Sequence, residues 1–244
     1  MTVQNHVIYK DQKYFVDDDT LRLKNREIKN IDDIFGLKNL EKLRRLDLSN
    51  NRIIDIKGLD NLVNLEVLNL NKNLITNIQG LENLKKLRVL WLKNNKISEI
   101  NGLNNLFNLE ELWLDKNQIS EIKNLENLSN LKFLCLCNNS ISKIKGLESL
   151  QELKSLDLIN NKIAKISNLD QLINLEYLDF SHNEITKLEG IENLSKLIYL
   201  NCMHNNIGQI NDLYYLKNIN LICLEGNPIN FLKLMKEFTK LLES

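Results

Sequence analysis

The chain has 244 residues, of which 32 are Lys or Arg and 32 are Asp or Glu, so its formal net charge is zero. That balance argues against a general nucleic-acid or polyanion binder, which needs a basic excess or a basic face. An apolar content of 43% with one proline and eight glycines argues against a disordered or linker-rich chain, and no stretch approaches the ~18 consecutive apolar residues of a membrane span.

Residues 1–20 read "MTVQNHVIYKDQKYFVDDDT". No basic region precedes an apolar run, so no export signal is expected and the cytoplasm is the expected location. Within it, "VIYKDQKYFV" sets two short β-prone runs about a polar turn, which predicts a hairpin serving as an N-terminal cap. Residues 21–39 follow as an irregular first repeat. Leu21, Leu23, Ile28, Ile31 and Leu37 are loosely spaced, Arg26 stands where later units carry asparagine, and three extra residues intervene.

From residue 40 to 237 the sequence repeats every 22 residues, nine times without a gap, in the frame LxxLxxLxLxxNxIxxIxxLxx. In "LFNLEELWLDKNQISEIKNLEN" (106–127) the apolar positions are Leu106, Leu109, Leu112, Leu114, Ile119, Ile122 and Leu125. One unit cannot bury that many hydrophobes, but stacked units bury them against each other, so the frame predicts a coil with one short strand per turn in a parallel sheet. The frame asparagine (Asn51, Asn73 and onward to Asn227) carries donors and an acceptor for the backbone of a buried bend. Gly58, Gly80, Gly102, Asn124, Gly146, Asn168, Gly190 and Asp212 share another frame position, and these residue types tolerate a left-handed turn. The few residues on the far side of each unit leave room for short 3-10 or irregular segments, not full helices. At the end, "GNPINFLKLMKEFTKLLES" spaces its apolar residues as a helix does behind Pro228, predicting a capping helix over 228–244 that overlaps the last repeat.

The LxxLxLxxN core resembles the leucine-rich repeat proteins, and the 22-residue length with "IxxIxGLxxL" resembles their intracellular subfamily, typified by the leucine-rich regulatory subunit of protein phosphatase 1. The resemblance implies an α/β solenoid: a horseshoe with a parallel sheet on its concave face, short 3-10 or irregular convex segments and a C-terminal capping helix. It implies a binding surface on that concave face, and one specific version in which the chain regulates a phosphatase-1-like enzyme. An alternative is a structural assembly subunit that works through its edges or its convex face.

Strand side chains alternate, so residues flanking the buried leucines point to the open face. There the frame places Trp91, Lys93, Glu111, Trp113, Asp115, Phe133, Cys135, Asp157, Tyr177, Asp179, Tyr199 and Asn201 as candidate partner-binding residues. Aromatics on a solvated face point to contacts. Bordering carboxylates point to a protein or peptide with an apolar anchor and a basic flank, not to nucleic acid or membrane. A monomeric, non-catalytic scaffold for protein binding without cofactors is expected. His182 and His204 occupy equivalent positions but make only two metal ligands. Cys135 and Cys137 read as small apolar contacts, since metal or redox work needs partners that the frame does not place nearby. Cys202 stands for a core leucine. All four cysteines, with Cys223, lie inside the repeats and read as reduced thiols. No nucleotide-binding glycine loop and no Ser-His-Asp constellation is present.

Overall fold

Each 22-residue unit brings one leucine to the middle of a three-residue strand, and the equal spacing sets those leucines side by side. In the computed structural model, which describes residues 5–210 and 213–229 together with Met235 and Thr239, ten such strands form a single parallel sheet. They are β3 (Thr20–Arg22), β4 (Arg45–Asp47), β5 (Val67–Asn69), β6 (Val89–Trp91), β7 (Glu111–Trp113), β8 (Phe133–Cys135), β9 (Ser155–Asp157), β10 (Tyr177–Asp179), β12 (Tyr199–Asn201) and β14 (Leu221–Cys223), adjacent in chain order. Leu46 pairs with Leu68, Leu68 with Leu90, Leu90 with Leu112, and so on to Leu200, a buried spine running the length of the coil. The first step is longer: Leu21 pairs with Leu46, 25 residues on, and two 3-10 turns, Ile31–Asp33 and Leu37–Asn39, take up the excess.

The other frame hydrophobes complete one continuous core from Val7 to Leu216. At one point the pattern changes size without opening a gap. Phe180 and Cys202 hold the same frame position in neighbouring turns, and both are fully buried. A large ring beside a small thiol conserves volume where two leucines would stand elsewhere.

Polar bends close each coil. Asn117 Oδ1 accepts the Ile97 N–H at 3.0 Å, while its Nδ2 donates to Leu92 O at 3.0 Å and Leu114 O at 2.9 Å. The same bonds recur from Asn51 to Asn227, so each amide ties its own turn to the one before. The expected glycine and asparagine turn is left-handed at every described position, and Asp212 lies outside the described residues. At Gly102 a Cβ would sit 1.7 Å from Ile78 O, whereas Asn124 keeps the left-handed turn and donates to the equivalent carbonyl, Ile100 O, at 2.6 Å. A second left-handed position precedes the ladder asparagine, at Asn50, Lys72, Asn94, Lys116, Asn138, Asn160, His182, His204 and Gly226.

The convex segments are tight turns with i to i+3 bonds, as from Leu62 N to Leu59 O and from Leu65 N to Leu62 O. A third 3-10 turn lies at Leu213–Tyr215, and a small side sheet pairs β11 (Lys187–Leu188) with β13 (Gln209–Ile210). At the first end, β1 (His6–Tyr9) and β2 (Gln12–Phe15) form an antiparallel hairpin about Lys10 and Asp11, both left-handed. Val7 and Tyr9 bury against the first coil, and Ile8 exchanges backbone bonds with Phe35. The expected capping helix over 228–244 lies outside the described residues beyond Ile229, apart from Met235 and Thr239.

Candidate interaction surface

The sheet register determines which outward side chains are neighbours. Trp91 pairs with Trp113, Trp113 with Cys135, and Cys135 with Asp157. Beside this row, Glu111 pairs with Phe133, and further along Tyr177 pairs with Tyr199 and Asp179 with Asn201. The two tyrosine rings lie 6.4 Å apart. Trp113 is 39% exposed and Tyr177 48%; Phe133 is exposed too, and Trp91 and Tyr199 are half-buried. Asn71, Trp91, Lys93 and Trp113 line a shallow depression of about 300 Å³.

Three expected surface residues are packed instead of presented. Asp115 is 1% exposed and paired with Lys93 at 2.8 Å, which raises the Lys93 pKa. Asn201 donates to Asp179 at 2.9 Å, and Cys135 is buried against Cys137 and Asp157. Alternation specifies which face a side chain takes; how deep it sits depends on the sizes of its neighbours in adjacent turns.

The acids on this face also serve the backbone. Asp47, Asp157 and Asp179 each accept the N–H two residues on through Oδ1, at 2.8, 3.0 and 2.8 Å. Asn69 and Asn201 do the same, both at 3.0 Å. This is the local Asx turn that ends a strand. The tryptophans occupy the same frame position and offer no such acceptor. At Trp91 the preceding turn substitutes: Asn71 Oδ1 accepts the Lys93 N–H at 2.7 Å.

Along the lip before the strands runs a charge ladder. Arg44 grips Glu66 through two bonds of 2.9 Å, and Arg88 and Lys132 hold Glu110 at 2.7 and 2.9 Å. Hydrogen bonds from Arg88 first, then Lys132, keep the Glu110 carboxyl below the usual carboxylate range.

The cysteines are less isolated than the sequence suggested. The Cys135 and Cys137 sulfurs lie 3.1 Å apart, and Asp157 Oδ2 is 3.8 Å from Cys135 Sγ. The Cys135 thiol is pushed up by its bond with Cys137 and then by burial, and burial raises Asp157. Asp157 lies one repeat, 22 residues, after Cys135; that spacing was the signal that brings it beside the pair. Cys202 is fully buried, and burial pushes its thiol up as well. His182 and His204 stack with centroids 4.5 Å apart. Among the described residues no third ligating group joins them.

Comparison with known proteins matches this geometry at several levels. The family model described as Leucine Rich repeats (2 copies) matches residues 41–83, 63–105, 85–127, 129–171 and 173–215. A search of curated proteins finds no match. Among solved structures, a leucine-rich repeat protein of Leptospira interrogans is 32% identical with a TM-score of 0.78 over 84% of this chain. This chain spans 55% of that protein, about half its length. The ectodomain of the Arabidopsis thaliana membrane receptor kinase GASSHO1/SCHENGEN3, solved in complex with CASPARIAN STRIP INTEGRITY FACTOR 2, is 31% identical with a TM-score of 0.63. That match covers 79% of this chain and 25% of the receptor. The TLR13–ssRNA13 complex gives 26% identity and a TM-score of 0.77 over 96% of this chain and 34% of that one. These similarities attach to the repeat family as a whole and not to its phosphatase-regulating members. With the family model matched over more than half its length and the parallel coil in register, the chain belongs to the leucine-rich repeat family.

Proposed function

We propose that this protein is a non-catalytic interaction module whose concave face, centred on Trp91 and Trp113, seats a protein or peptide carrying an apolar anchor and a basic flank. One observation carries the reading. At the frame position where Asp47, Asn69, Asp157, Asp179 and Asn201 close their own strand ends, two adjacent turns carry tryptophan instead. Tryptophan does nothing there for the local backbone, and it leaves a half-exposed aromatic pair bordered by Glu111, Asp157 and Asp179. Paired exposed aromatics in a depression are the usual anchors of binding surfaces. The family's generally non-enzymatic character supports the reading. The receptor neighbour with a protein factor bound supports the partner class, while the RNA-bound neighbour makes nucleic acid the competing outcome. Carboxylates around the aromatics favour a cationic protein segment over a phosphate backbone. Four unpaired thiols support a reducing, cytoplasmic setting.

Selection from a displayed peptide library tests this directly. Enriched peptides should combine an aromatic or aliphatic anchor with Lys or Arg, and Trp91→Ala with Trp113→Ala should weaken their binding at least tenfold, about 1.4 kcal/mol. The unfolding midpoint should change little. Unchanged binding by the folded double variant, or a preference for RNA oligomers over peptides, would sink the proposal. Regulation of a phosphatase-1-like catalytic subunit is a narrower version, favoured by the grouping of aromatics with acids. Its test is binding of the purified catalytic subunit, with the same tryptophan dependence.

A further inference from the structure

The Cys135–Cys137 pair raises a question that packing does not answer. Residues two apart on a strand share a face, yet most turns place a polar or aromatic side chain where these sulfurs sit. Here Cys135 Sγ, Cys137 Sγ and a carboxylate oxygen of Asp157 all lie within 4.8 Å of one another. A tetrahedral ion with bonds of about 2.3 Å to sulfur and 2.0 Å to oxygen needs donors separated by roughly 3.5–3.8 Å. The sulfurs at 3.1 Å and the sulfur–oxygen pair at 3.8 Å are therefore within a side-chain adjustment of that polyhedron.

The surroundings suit an ion of this kind. Cys135 is buried and Asp157 partly so, and two thiolates beside a carboxylate require a compensating charge at that depth. The neighbouring turn places Asp115 beside Cys137, with the Lys116 N–H bonded to Cys137 O. Lys93 pairs with Asp115 Oδ2, but Asp115 Oδ1 is buried without a hydrogen-bond partner. A water completing the fourth coordination position would supply the donor that this oxygen lacks. Thiolate donors select thiophilic, tetrahedral ions over magnesium or calcium.

We propose that Cys135, Cys137 and Asp157 form a binding site for one zinc-class divalent ion, set in the concave sheet next to Trp113. The ion bonds to two thiolates and one carboxylate oxygen, and both thiol protons pass to solvent. The site stands on its own geometry and is independent of the protein-binding reading, so its test uses the metal alone. Reduced, metal-stripped protein is titrated with Zn²⁺ against a chromophoric chelator, and separately with Cd²⁺ while the ultraviolet sulfur-to-cadmium charge-transfer band is followed. One equivalent of each ion and a clear Cd²⁺ band are expected. The band of the unaltered protein decides independently of how any variant folds. Cys135→Ser with Cys137→Ser should abolish both signals, and Asp157→Asn should weaken Zn²⁺ by at least the 10–100-fold that loss of even an outer-shell partner costs. His182→Ala with His204→Ala should leave both intact. No Zn²⁺ bound by the reduced protein, a stoichiometry that survives in the double serine variant, or a disulfide whose reduction confers no metal binding would each overturn the proposal.

Discussion

Asn117 shows how much one side chain does in a coil of this kind. Its amide accepts the Ile97 N–H of the preceding turn and donates to Leu92 O and Leu114 O, so three backbone groups depend on it. Alanine would strand them in a place where water reaches poorly. Asn117→Ala is expected to lower stability by about 1–3 kcal/mol in denaturant melts, and an unchanged midpoint would contradict this account of the bend. The adjacent residue was not legible. Lys116, like Lys72, is left-handed at φ 56 and 55 although lysine has no leaning that way. Stacked neighbours impose the turn there, and only the asparagines, histidines and Gly226 in the same column hinted at it.

Between adjacent elements, the lip ladder has a measurable electrostatic signature. Glu110 is held below the usual carboxylate range by Arg88 and then Lys132. A carboxylate with a depressed pKa in the fold adds stability above its ordinary value, and that contribution is lost as pH falls through the folded value. Glu110→Gln should therefore cost about 0.2–1 kcal/mol at pH 7 in low salt. The difference should shrink in high salt and vanish in acid, where Glu110 is protonated in both states. Urea midpoints of both proteins across pH and salt check the sign. The pairing itself follows from arithmetic, since residues 22 apart in this frame become cross-strand neighbours. The Asx turns at Asp47, Asp157 and Asp179 did not follow, because a frame position shows which face a carboxylate takes but not which N–H it accepts.

At the scale of the whole molecule, a stack of repeats has an exposed apolar end wherever no cap covers it. The hairpin of β1 and β2 covers the first end with Val7, which is fully buried, while Phe15 on the same hairpin is 62% exposed. Val7→Asp should cost on the order of 3 kcal/mol or more by burying an unpaired charge. It should also increase hydrophobic-dye binding and self-association as Leu21 and Ile34 are uncovered. Phe15→Asp should stay within about 0.5 kcal/mol of the parent. Equal effects would mean that the hairpin is not a lid.

The sequence by itself determined the coil, its register and the outward rows, because one contact rule stated nine times leaves a parallel stack as the arrangement that buries every leucine. It also made Trp91 and Trp113 neighbours before any coordinates were consulted. Tertiary structure alone decided depth and pairing: that Asp115 and Cys135 sink into the face, and that Lys93 closes over Asp115. It also decided that Cys137 swings to within 3.1 Å of Cys135 with Asp157 beside them. Periodicity specifies direction from the sheet, whereas burial and hydrogen bonding depend on the volume and chemistry of side chains one turn away on either side.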